Sequence, residues 1–260
     1  MKVAIGVFDG VHRGHQKVIE KAHRVITFDP HPHPIPLLTT VSERQDLIGN
    51  LDIIAFTKQL QSLSPEQFIE KHIIKPYAPE AIIVGHDFIF GNNRSGNVTT
   101  LRALGEKYNF TVEEVPEYCH KGQPVRSSTI REALQKADLQ TARELLGRDY
   151  QINGTVIHGK HLGRKLGFPT INLKLEDKHK LIPAPGVYAG EVIIINKIYT
   201  AAIFIGKNIV EAHILNFDHM VYGKPCTLFF REYIRPIQKF DDVHLLTVQI
   251  QKDVQQISRI

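Results

Sequence analysis

The stretch Gly6-Val7-Phe8-Asp9-Gly10-Val11-His12-Arg13-Gly14-His15-Gln16 decides the fold of the first half of the chain. It follows a short apolar run, residues 3–5, that predicts a buried strand, and it leads into residues 17–23, which are predicted to be helical. A strand that breaks at glycines and restarts as a helix leaves backbone N–H groups and a positive dipole end at one place. His12 and His15 lie on one face of that helix start, and Gly14 between them allows close approach. The stretch therefore predicts phosphate chemistry.

The overall composition limits the class of protein. With 260 residues, 42% hydrophobic and 23% charged, the chain is an ordinary globular protein with room for two domains. Its apolar runs are too short for a bilayer and no signal peptide is evident, so we expect a cytoplasmic protein without a membrane partner. Cys119 and Cys226 predict reduced structural thiols. The net charge of +5 suits a nucleic-acid binder or an enzyme for phosphorylated anions. No basic block is interleaved with aromatic residues, so we expect no nucleic-acid partner.

Two halves of the chain show different periodicities. Up to residue 147, short β-like runs alternate with helical stretches, which predicts an α/β domain with a parallel sheet. From residue 148 onward the pattern is one of β-like runs separated by turn residues, and only residues 241–260 could be helical. This predicts an antiparallel barrel or sandwich. The predicted domains are 1–147 and 148–260. The predicted strands of the second domain are 152–158, 187–195, 199–205, 210–217 and 226–233.

Unusual stretches follow three predicted strands of the first domain: residues 6–16, 29–34 and 85–91. Ligands of parallel sheets bind beyond the carboxyl ends of the strands, so these stretches are expected to meet. Ser127-Ser128-Thr129 opens a helix, where hydroxyls, free N–H groups and Arg131 could hold further phosphate groups. Together they predict a nucleoside triphosphate pocket. The chain has no Gly-x-x-x-x-Gly-Lys-Ser/Thr loop, which argues against a standard phosphate-loop NTPase.

Simpler interpretations of these motifs remain open when each is taken alone. The two histidines of the opening stretch could bind zinc, with His31 or His33 as a third ligand. The surrounding glycines and phosphate-type loops would serve no purpose in such a site, which favours phosphate. Ser-Ser-Thr alone would be only a helix cap. Four such stretches in this order favour one common site.

Four motifs resemble the hallmark stretches of the adenylyltransferase half of prokaryotic bifunctional riboflavin kinase/FAD synthetases. They are Phe8-Asp9-Gly10-x-His12-x-Gly14-His15, Thr27-Phe28-x-Pro30-His31-Pro32, Val84-Gly85-x-Asp87-Phe88-x-Phe90-Gly91 and Ser127-Ser128-x-Ile130-Arg131. The resemblance implies a Rossmann-like nucleotidyltransferase domain of the His-x-Gly-His type. It also implies that the phosphate of FMN attacks the α-phosphate of ATP, which releases pyrophosphate and yields FAD without a covalent enzyme intermediate.

The same resemblance implies roles for individual residues of the first domain. The implied catalytic residues, which would act with Mg²⁺ by pre-placed electrostatics, are His12, His15 and Arg131. The implied ATP-binding residues are Gly6, Phe8, Asp9, Gly14, Ser127 and Ser128. The implied flavin-binding residues are His31, Pro32, Asp87 and Phe88.

The second domain carries its own dense motif, Gly154-x-Val156-x-His158-Gly159-x-x-x-Gly163-Arg164-x-Leu166-Gly167-Phe168-Pro169-Thr170-Ile171-Asn172. Thr170 and Asn172 alternate, so on an extended segment their oxygens point to one side and suit a hard cation. The stretch resembles the flavokinase signature of the same family. The resemblance implies that Thr170 and Asn172 bind Mg²⁺, and that Glu211 is the general base for the riboflavin 5′-hydroxyl. The implied ATP-binding residues are Gly159, Lys160, Gly163, Phe168 and Pro169.

The sequence also departs from the family in its connections. About nine residues separate His15 from the next strand, fewer than a helical crossover normally needs. Residues 205–208 run directly into 209–211, so the family's Asn-Pro-Thr-Phe-type flavin loop is absent there. Either the flavin pocket is reduced, or mobile loops are missing from the printed chain, which is our hypothesis.

We therefore predict an enzyme that converts riboflavin to FMN and FMN to FAD, with ATP and Mg²⁺ in both steps. One alternative is a single-activity FMN adenylyltransferase whose barrel only binds flavin. The other is a non-enzymatic flavin- or nucleotide-binding regulator. The sequence leaves the oligomeric state open, and we expect a monomer or a weak oligomer.

Overall fold

The computed structural model of the protein describes residues 1–159, 162–207 and 209–260. Contacts divide the chain into two compact units, Met1–Ser127 and Ser128–Ile260. This division and the predicted boundary differ by the segment 128–147. The physical reason is local packing, because the helix Leu139–Leu146 packs against barrel strands and the backbone N–H of Ala184 donates to Leu134.

The first unit contains a five-stranded sheet in the order β3-β2-β1-β4-β5, in which every neighbouring pair is parallel. Its strands are β1 (Lys2–Ile5), β2 (Arg24–Asp29), β3 (Leu51–Ala55), β4 (Ala81–Gly85) and β5 (Thr111–Val115). The two central strands, β1 and β4, are almost wholly buried, as expected for a parallel sheet covered on both faces. The chain order reverses between β1 and β4, and such a switch point opens a ligand crevice at the carboxyl edge of a sheet. The predicted α/β parallel sheet is confirmed.

Short helices connect these strands. They are α1 (Arg13–Ile19), α2 (Val41–Ile48), α3 (Lys58–Gln61), α4 (Pro65–Ile69), α5 (Lys75–Tyr77) and α6 (Val98–Tyr108). A π-helical turn, Glu70–Ile74, joins α4 to α5, and a 3₁₀ turn, Asn92–Arg94, precedes α6. The predicted helix over 17–23 is displaced, because α1 begins at Arg13, directly after its cap residue His12. A small hairpin of β6 (Cys119–His120) and β7 (Gln123–Pro124) follows β5.

The start of α4 illustrates how local sequence produces these helices. The Ser64 hydroxyl accepts the backbone N–H of Gln67, and the Gln67 side chain accepts the N–H of Ser64. Pro65 occupies the first helical position, where no N–H is needed. This reciprocal capping satisfies two donors that a helix start would otherwise leave unpaired.

The second unit is built around a closed barrel of six strands in the order β10-β11-β12-β9-β8-β13. The strands are β8 (Tyr150–Ile157), β9 (Ile171–Leu175), β10 (Gly186–Ile194), β11 (Lys197–Gly206), β12 (Ile209–Ile214) and β13 (Pro225–Arg235). All pairings are antiparallel, which confirms the predicted antiparallel barrel. Sequence patterning did not identify β9 as a strand, and β9 closes the barrel by pairing with β8 and β12. Alternate residues of β8 face the core, as expected for a period of two.

The remaining helices are α7 (Ser127–Gln135), α8 (Leu139–Leu146), α9 (Leu162–Lys165) and α10 (Val243–Ile257). A buried ion pair anchors α10, because Arg235 Nε donates to both carboxylate oxygens of Asp253 at 2.9 and 3.0 Å and Nη2 donates at 2.6 Å. Within the described part of the chain, no helix has the length and apolar character that a membrane span requires.

Candidate active sites

The loop after β1 has an unusual backbone. Phe8 and Val11 adopt left-handed conformations with φ of 51° and 41°, and Gly10 has φ of 91°. Such backbone angles are unfavourable for residues other than glycine, above all for a β-branched valine. They persist only where the surrounding structure over-determines them.

Hydrogen bonds from a distant segment hold this loop in place. The buried carboxylate of Asp9 accepts the backbone N–H of Leu38 at 3.2 Å and of Thr39 at 2.9 Å. The Thr39 hydroxyl in turn accepts the N–H of Gly10 at 2.9 Å. The Ser127 hydroxyl donates to the carbonyl oxygen of Asp9 at 2.9 Å. The side chain of Asp9 thus shapes the loop from behind.

His12 and His15 stack on each other, with ring centroids 3.5 Å apart and ring planes at 18°. Nδ1 of His12 accepts the backbone N–H of His15 at 3.2 Å. An accepting nitrogen carries no proton, so neutral His12 carries its proton on Nε2 and can donate it to an anion. Phe8 packs edge-on against His15 at 5.4 Å. A Cβ on Gly14 would lie 3.2 Å from His12 Cε1, so glycine there allows the tight helix start.

The other predicted residues of this site lie on three segments. His31 and Pro32 follow the cis peptide Asp29–Pro30 at the end of β2, and His31 Nδ1 accepts the N–H of His33 at 3.0 Å. Asp87 is exposed after β4. Because β1, β2 and β4 are parallel, their carboxyl ends share one edge of the sheet, as predicted. Ser128 and Arg131 follow Ser127 on α7, within the second compact unit.

Aromatic rings cluster near this edge. Phe88 stacks on Phe90 with centroids 5.1 Å apart, and Phe90 contacts Phe68 at 6.1 Å. Phe28, near the end of β2, contacts Phe68 and Phe56, each with ring centroids 6.0 Å apart. Phe28, Phe56 and Phe88 are only partly buried, so the cluster offers apolar ring surface beside the loops.

Two residues that hold these loops, Thr39 and Arg44, carry no functional signal in the sequence. Both are almost fully buried. Neither lies on an apolar stripe or in a quoted motif, and the only local signal is the spacing Thr40-x-x-Glu43 of a helix cap.

Three oxygen-bearing side chains meet beside strands β9 and β12 of the barrel. Asn172 on β9 is paired directly with Glu211 on β12, so both side chains point to the same face. The Thr170 hydroxyl donates to Glu211 Oε2 at 3.5 Å. Burial raises the pKa of the half-buried Glu211 carboxyl, and the Thr170 hydrogen bond partly opposes that rise. A Cβ on Gly159 would lie 2.2 Å from the Asn172 amide nitrogen, so only glycine leaves room for Asn172.

The segment before Thr170 is fixed by its own contacts. Phe168 N–H donates to the carbonyl oxygen of Gly163 at 2.8 Å, and a Cβ on Gly163 would lie 2.4 Å from the Phe168 carbonyl oxygen. His213 of β12 contacts this segment through a 2.8 Å hydrogen bond between Nδ1 and the Pro169 carbonyl. Lys160, the remaining predicted ATP-binding residue, lies outside the described residues.

The connection between β11 and β12 is as short as the sequence indicates. The two strands pair as far as Gly206 and Ile209, so only residues 207 and 208 connect them. Residue 208 itself lies outside the described part of the chain. Among the described residues, no group of three or more His, Cys, Asp or Glu side chains is placed so that it could hold a metal ion.

Comparison with known proteins assigns both halves. A family model for FAD synthetase matches residues 1–129, and one for riboflavin kinase matches residues 146–260. The chain is 32% identical to the bifunctional riboflavin kinase/FMN adenylyltransferase of Listeria monocytogenes, over 97% of this chain and 90% of that protein. It is 34% identical to the Buchnera aphidicola protein of the same name, over 99% and 93%. The chain belongs to the bifunctional riboflavin kinase/FMN adenylyltransferase family.

As a member of this family, the protein has two enzyme activities, riboflavin kinase and FMN adenylyltransferase. This confirms the predicted bifunctional enzyme over the single-activity and regulatory alternatives. The match to the Listeria protein extends over 285 positions, more than the 260 residues of this chain, so that relative carries extra residues within the match.

A solved structure supports the fold along the whole chain. It is described as a macrolide-efflux protein from Streptococcus pneumoniae, and that description belongs to the Streptococcus protein. It superposes with a TM-score of 0.87 over 100% of this chain and 94% of that one, at 28% identity.

Proposed function

We propose that FMN is adenylylated at the carboxyl edge of the parallel sheet, where residues 6–15 hold the phosphates of ATP. The observation that carries this proposal is the stacked pair of His12 and His15. A backbone N–H fixes the tautomer of His12, so that Nε2 carries the ring proton. The strained loop before the pair is held rigidly by Asp9 and Thr39, and rigid donors need little reorganisation during reaction.

In this proposal, an oxygen of the FMN phosphate attacks the α-phosphate of ATP, and the bond to the departing pyrophosphate breaks. Negative charge develops on the oxygens of the α-phosphate, and His12 and His15 donate to them. Each such pre-placed donor is worth about 3–4 kcal/mol of barrier.

The remaining residues would bind the ends of the two substrates. Ser128 and Arg131 would hold the β- and γ-phosphates through hydroxyl and forked guanidinium donors, and Ser127, whose hydroxyl donates to Asp9, would contribute its backbone N–H at the helix start. Gly6, Phe8, Asp9 and Gly14 shape the loop, since a Cβ on Gly6 would lie 2.8 Å from the Phe8 ring. His31, Pro32, Asp87 and Phe88 would contact the flavin, and the partly buried aromatic cluster supports this because flat rings stack well.

For the kinase, we propose that Glu211 takes the proton of the riboflavin 5′-hydroxyl as that oxygen attacks the γ-phosphate of ATP. The bond between the γ-phosphorus and the bridging oxygen then breaks, and ADP leaves. The pKa of Glu211 is raised by burial, which brings this base nearer to neutral pH and favours proton transfer. ATP would lie along Gly159, Gly163, Phe168 and Pro169, together with Lys160. Gly159 packs closely on the Asn172 side chain and Gly163 on the Phe168 carbonyl oxygen, and this close packing supports the placement.

The donor set beside Glu211 fits Mg²⁺. The Thr170 hydroxyl, the Asn172 amide and the Glu211 carboxylate supply oxygen atoms, which this hard cation prefers. Thr170 and Asn172 would hold it, and when bound it neutralises phosphate charge. We also place the protein in the cytoplasm, which the two free thiols, Cys119 and Cys226, support.

One experiment tests both sites. The protein is incubated with riboflavin, ATP and Mg²⁺, and the flavin products are separated by chromatography. The parent protein should yield FMN and then FAD. The His15→Ala variant should stop at FMN, whereas Glu211→Gln should fail with riboflavin and still convert supplied FMN to FAD. If each variant lost both activities equally, the two-site assignment would be wrong.

A further inference from the structure

Arg44 on α2 is a buried charge that the two proposed mechanisms do not use. Its side chain is 1% exposed. Burial lowers the pKa of its guanidinium, while the carboxylates of Asp9 and Asp29 act in the opposite direction. Arginine nevertheless stays protonated in proteins, so the first unit holds a cation close to the loops at the edge of its sheet. A charge in such a place is costly unless hydrogen bonds and counter-charges compensate it.

One nitrogen of Arg44 ties two of these loops together. Nη1 donates to the carbonyl oxygen of Val7 at 3.0 Å, in the loop after β1, and to that of Phe28 at 3.3 Å, near the end of β2. It also donates to the hydroxyl of Thr27 at 2.9 Å, and that hydroxyl donates to Val7 at 2.8 Å. Residues 6–15 form the proposed phosphate loop, and residues 29–32 form the proposed flavin loop. Arg44 Nη1 therefore binds both the start of the phosphate loop and the strand that leads into the flavin loop.

The other half of the guanidinium is incompletely satisfied. Nε and Nη2 of Arg44 are buried and have no hydrogen-bond partner among the described residues. The nearest counter-charge is Asp29, whose Oδ1 lies 3.8 Å from Nη2. A closure of about 1 Å would turn this contact into a hydrogen bond. The Asp29 side chain is 41% exposed and directly precedes Pro30 and His31, so a ligand on that loop can move it.

We propose that Arg44 is a positioning residue that couples the binding of ATP and FMN during FAD synthesis. The proposal rests on the proposed function of residues 6–15 and 29–32. FMN bound beside His31 draws Asp29 onto Nη2 of Arg44. The guanidinium, now held on both sides, restrains the carbonyl of Val7 and with it the phosphate loop. Because such coupling is reciprocal, bound ATP favours FMN by the same factor.

A purely structural role for Arg44 makes a different prediction. A side chain that only stabilises the fold would, when replaced, reduce the amount of active enzyme and leave the KM values unchanged. A coupling residue changes the dependence of one KM on the other substrate. The two roles are therefore separated by a KM-against-kcat comparison.

The test measures the KM for FMN in FAD formation at a low and at a saturating concentration of ATP. In the parent protein the KM should fall at least about 5-fold as ATP saturates, the lower end of typical couplings. Asp29→Asn should bring this ratio close to one without removing a buried group. Arg44→Met should do the same, and Arg44→Lys should restore part of the ratio because the positive charge remains.

The matched control is Asp52→Asn. Asp52 lies on β3 and contacts Arg24 at 3.3 Å, near the amino end of β2 and away from the loops. The Asp52→Asn variant should keep the parent's ratio of KM for FMN at low and at saturating ATP. FMN formation from riboflavin by the same chains reports on folding, and if Arg44→Met fails to fold, Asp29→Asn and Arg44→Lys decide.

Two results would overturn the proposal: a parent ratio near one, or an unchanged ratio in Asp29→Asn. Failure of the underlying site assignment looks different. In that case His15→Ala would keep FAD synthesis, whereas failure of the coupling alone leaves FAD synthesis dependent on His15.

Discussion

Replacing His15 by alanine should lower kcat for FAD synthesis about 100- to 1,000-fold, the effect of removing one donor at a developing charge. The structure makes this change unusually clean. The hydrogen bond that orients His12 comes from the backbone N–H of His15, so it survives the loss of the ring. His15 is only partly buried. Loss of its contacts with His12 and Phe8 should therefore cost about 1 kcal/mol of folding stability, too little to unfold the domain.

The assay follows FMN and ATP converted to FAD by chromatography at saturating substrates. FMN formation from riboflavin by the same preparation is the internal control, because it takes place in the barrel. It should stay within about 2-fold of the parent rate, a change of less than about 0.5 kcal/mol. The reasoning would be refuted if His15→Ala kept FAD synthesis within about 3-fold, a barrier change below 1 kcal/mol.

The barrel and its helix support further predictions. Because the pKa of Glu211 is raised, kcat/KM for riboflavin should rise with pH, with a midpoint above the pKa of an ordinary glutamate. Glu211→Gln should abolish this rise in kcat/KM, whereas the pH profile of FAD synthesis should stay unchanged. Gly159→Ala should abolish FMN synthesis and spare FAD synthesis, since the added Cβ would lie 2.2 Å from the Asn172 amide; chromatography of both products checks it. Asp253→Asn should lower the free energy of unfolding of the second unit by about 3 kcal/mol, because Arg235 loses its buried carboxylate partner. A denaturant titration measures this, and an unchanged unfolding free energy would contradict the prediction.

Elements with strong local signals could be predicted from the sequence. The end of helix α8 follows from its sequence, since Gly147 terminates it in a left-handed conformation with φ of 78°. The same holds for β4, a continuous apolar run that matches a strand buried on both faces. Such features depend on neighbours in the sequence, which single-chain patterns record.

Helix α2 was not predicted because its burial contradicts its hydropathy. Its buried residues are Glu43 and Arg44, 0% and 1% exposed, so the helix has no apolar stripe. The polar partners that make this burial possible come from the loops after β1 and β2, far away in the sequence. Only the capping pair Thr40 and Glu43 leaves a local trace.

The barrel site was predictable only through family resemblance. Thr170 and Glu211 are 41 residues apart, and their contact depends on the pairing of β9 with β12. β9 alternates apolar and polar residues as a strand does, but its sequence does not indicate that β12 is its partner. A carboxylate on an alternating strand is otherwise an ordinary exposed residue. Glu211 is partly buried on the face of β12 opposite Val210 and Ala212, where Thr170 contacts it.

The left-handed backbone at Phe8 and Val11 lowers the stability of the fold while it positions the residues proposed for FAD synthesis. Each residue held in this way costs about 1–3 kcal/mol. Glycine at position 11 would relieve that cost and loosen the positions of the two histidines. Selection of this protein for thermostability alone should therefore enrich changes in the very loop that FAD synthesis needs rigid. Heat-resistant variants obtained in that way would be expected to accumulate FMN.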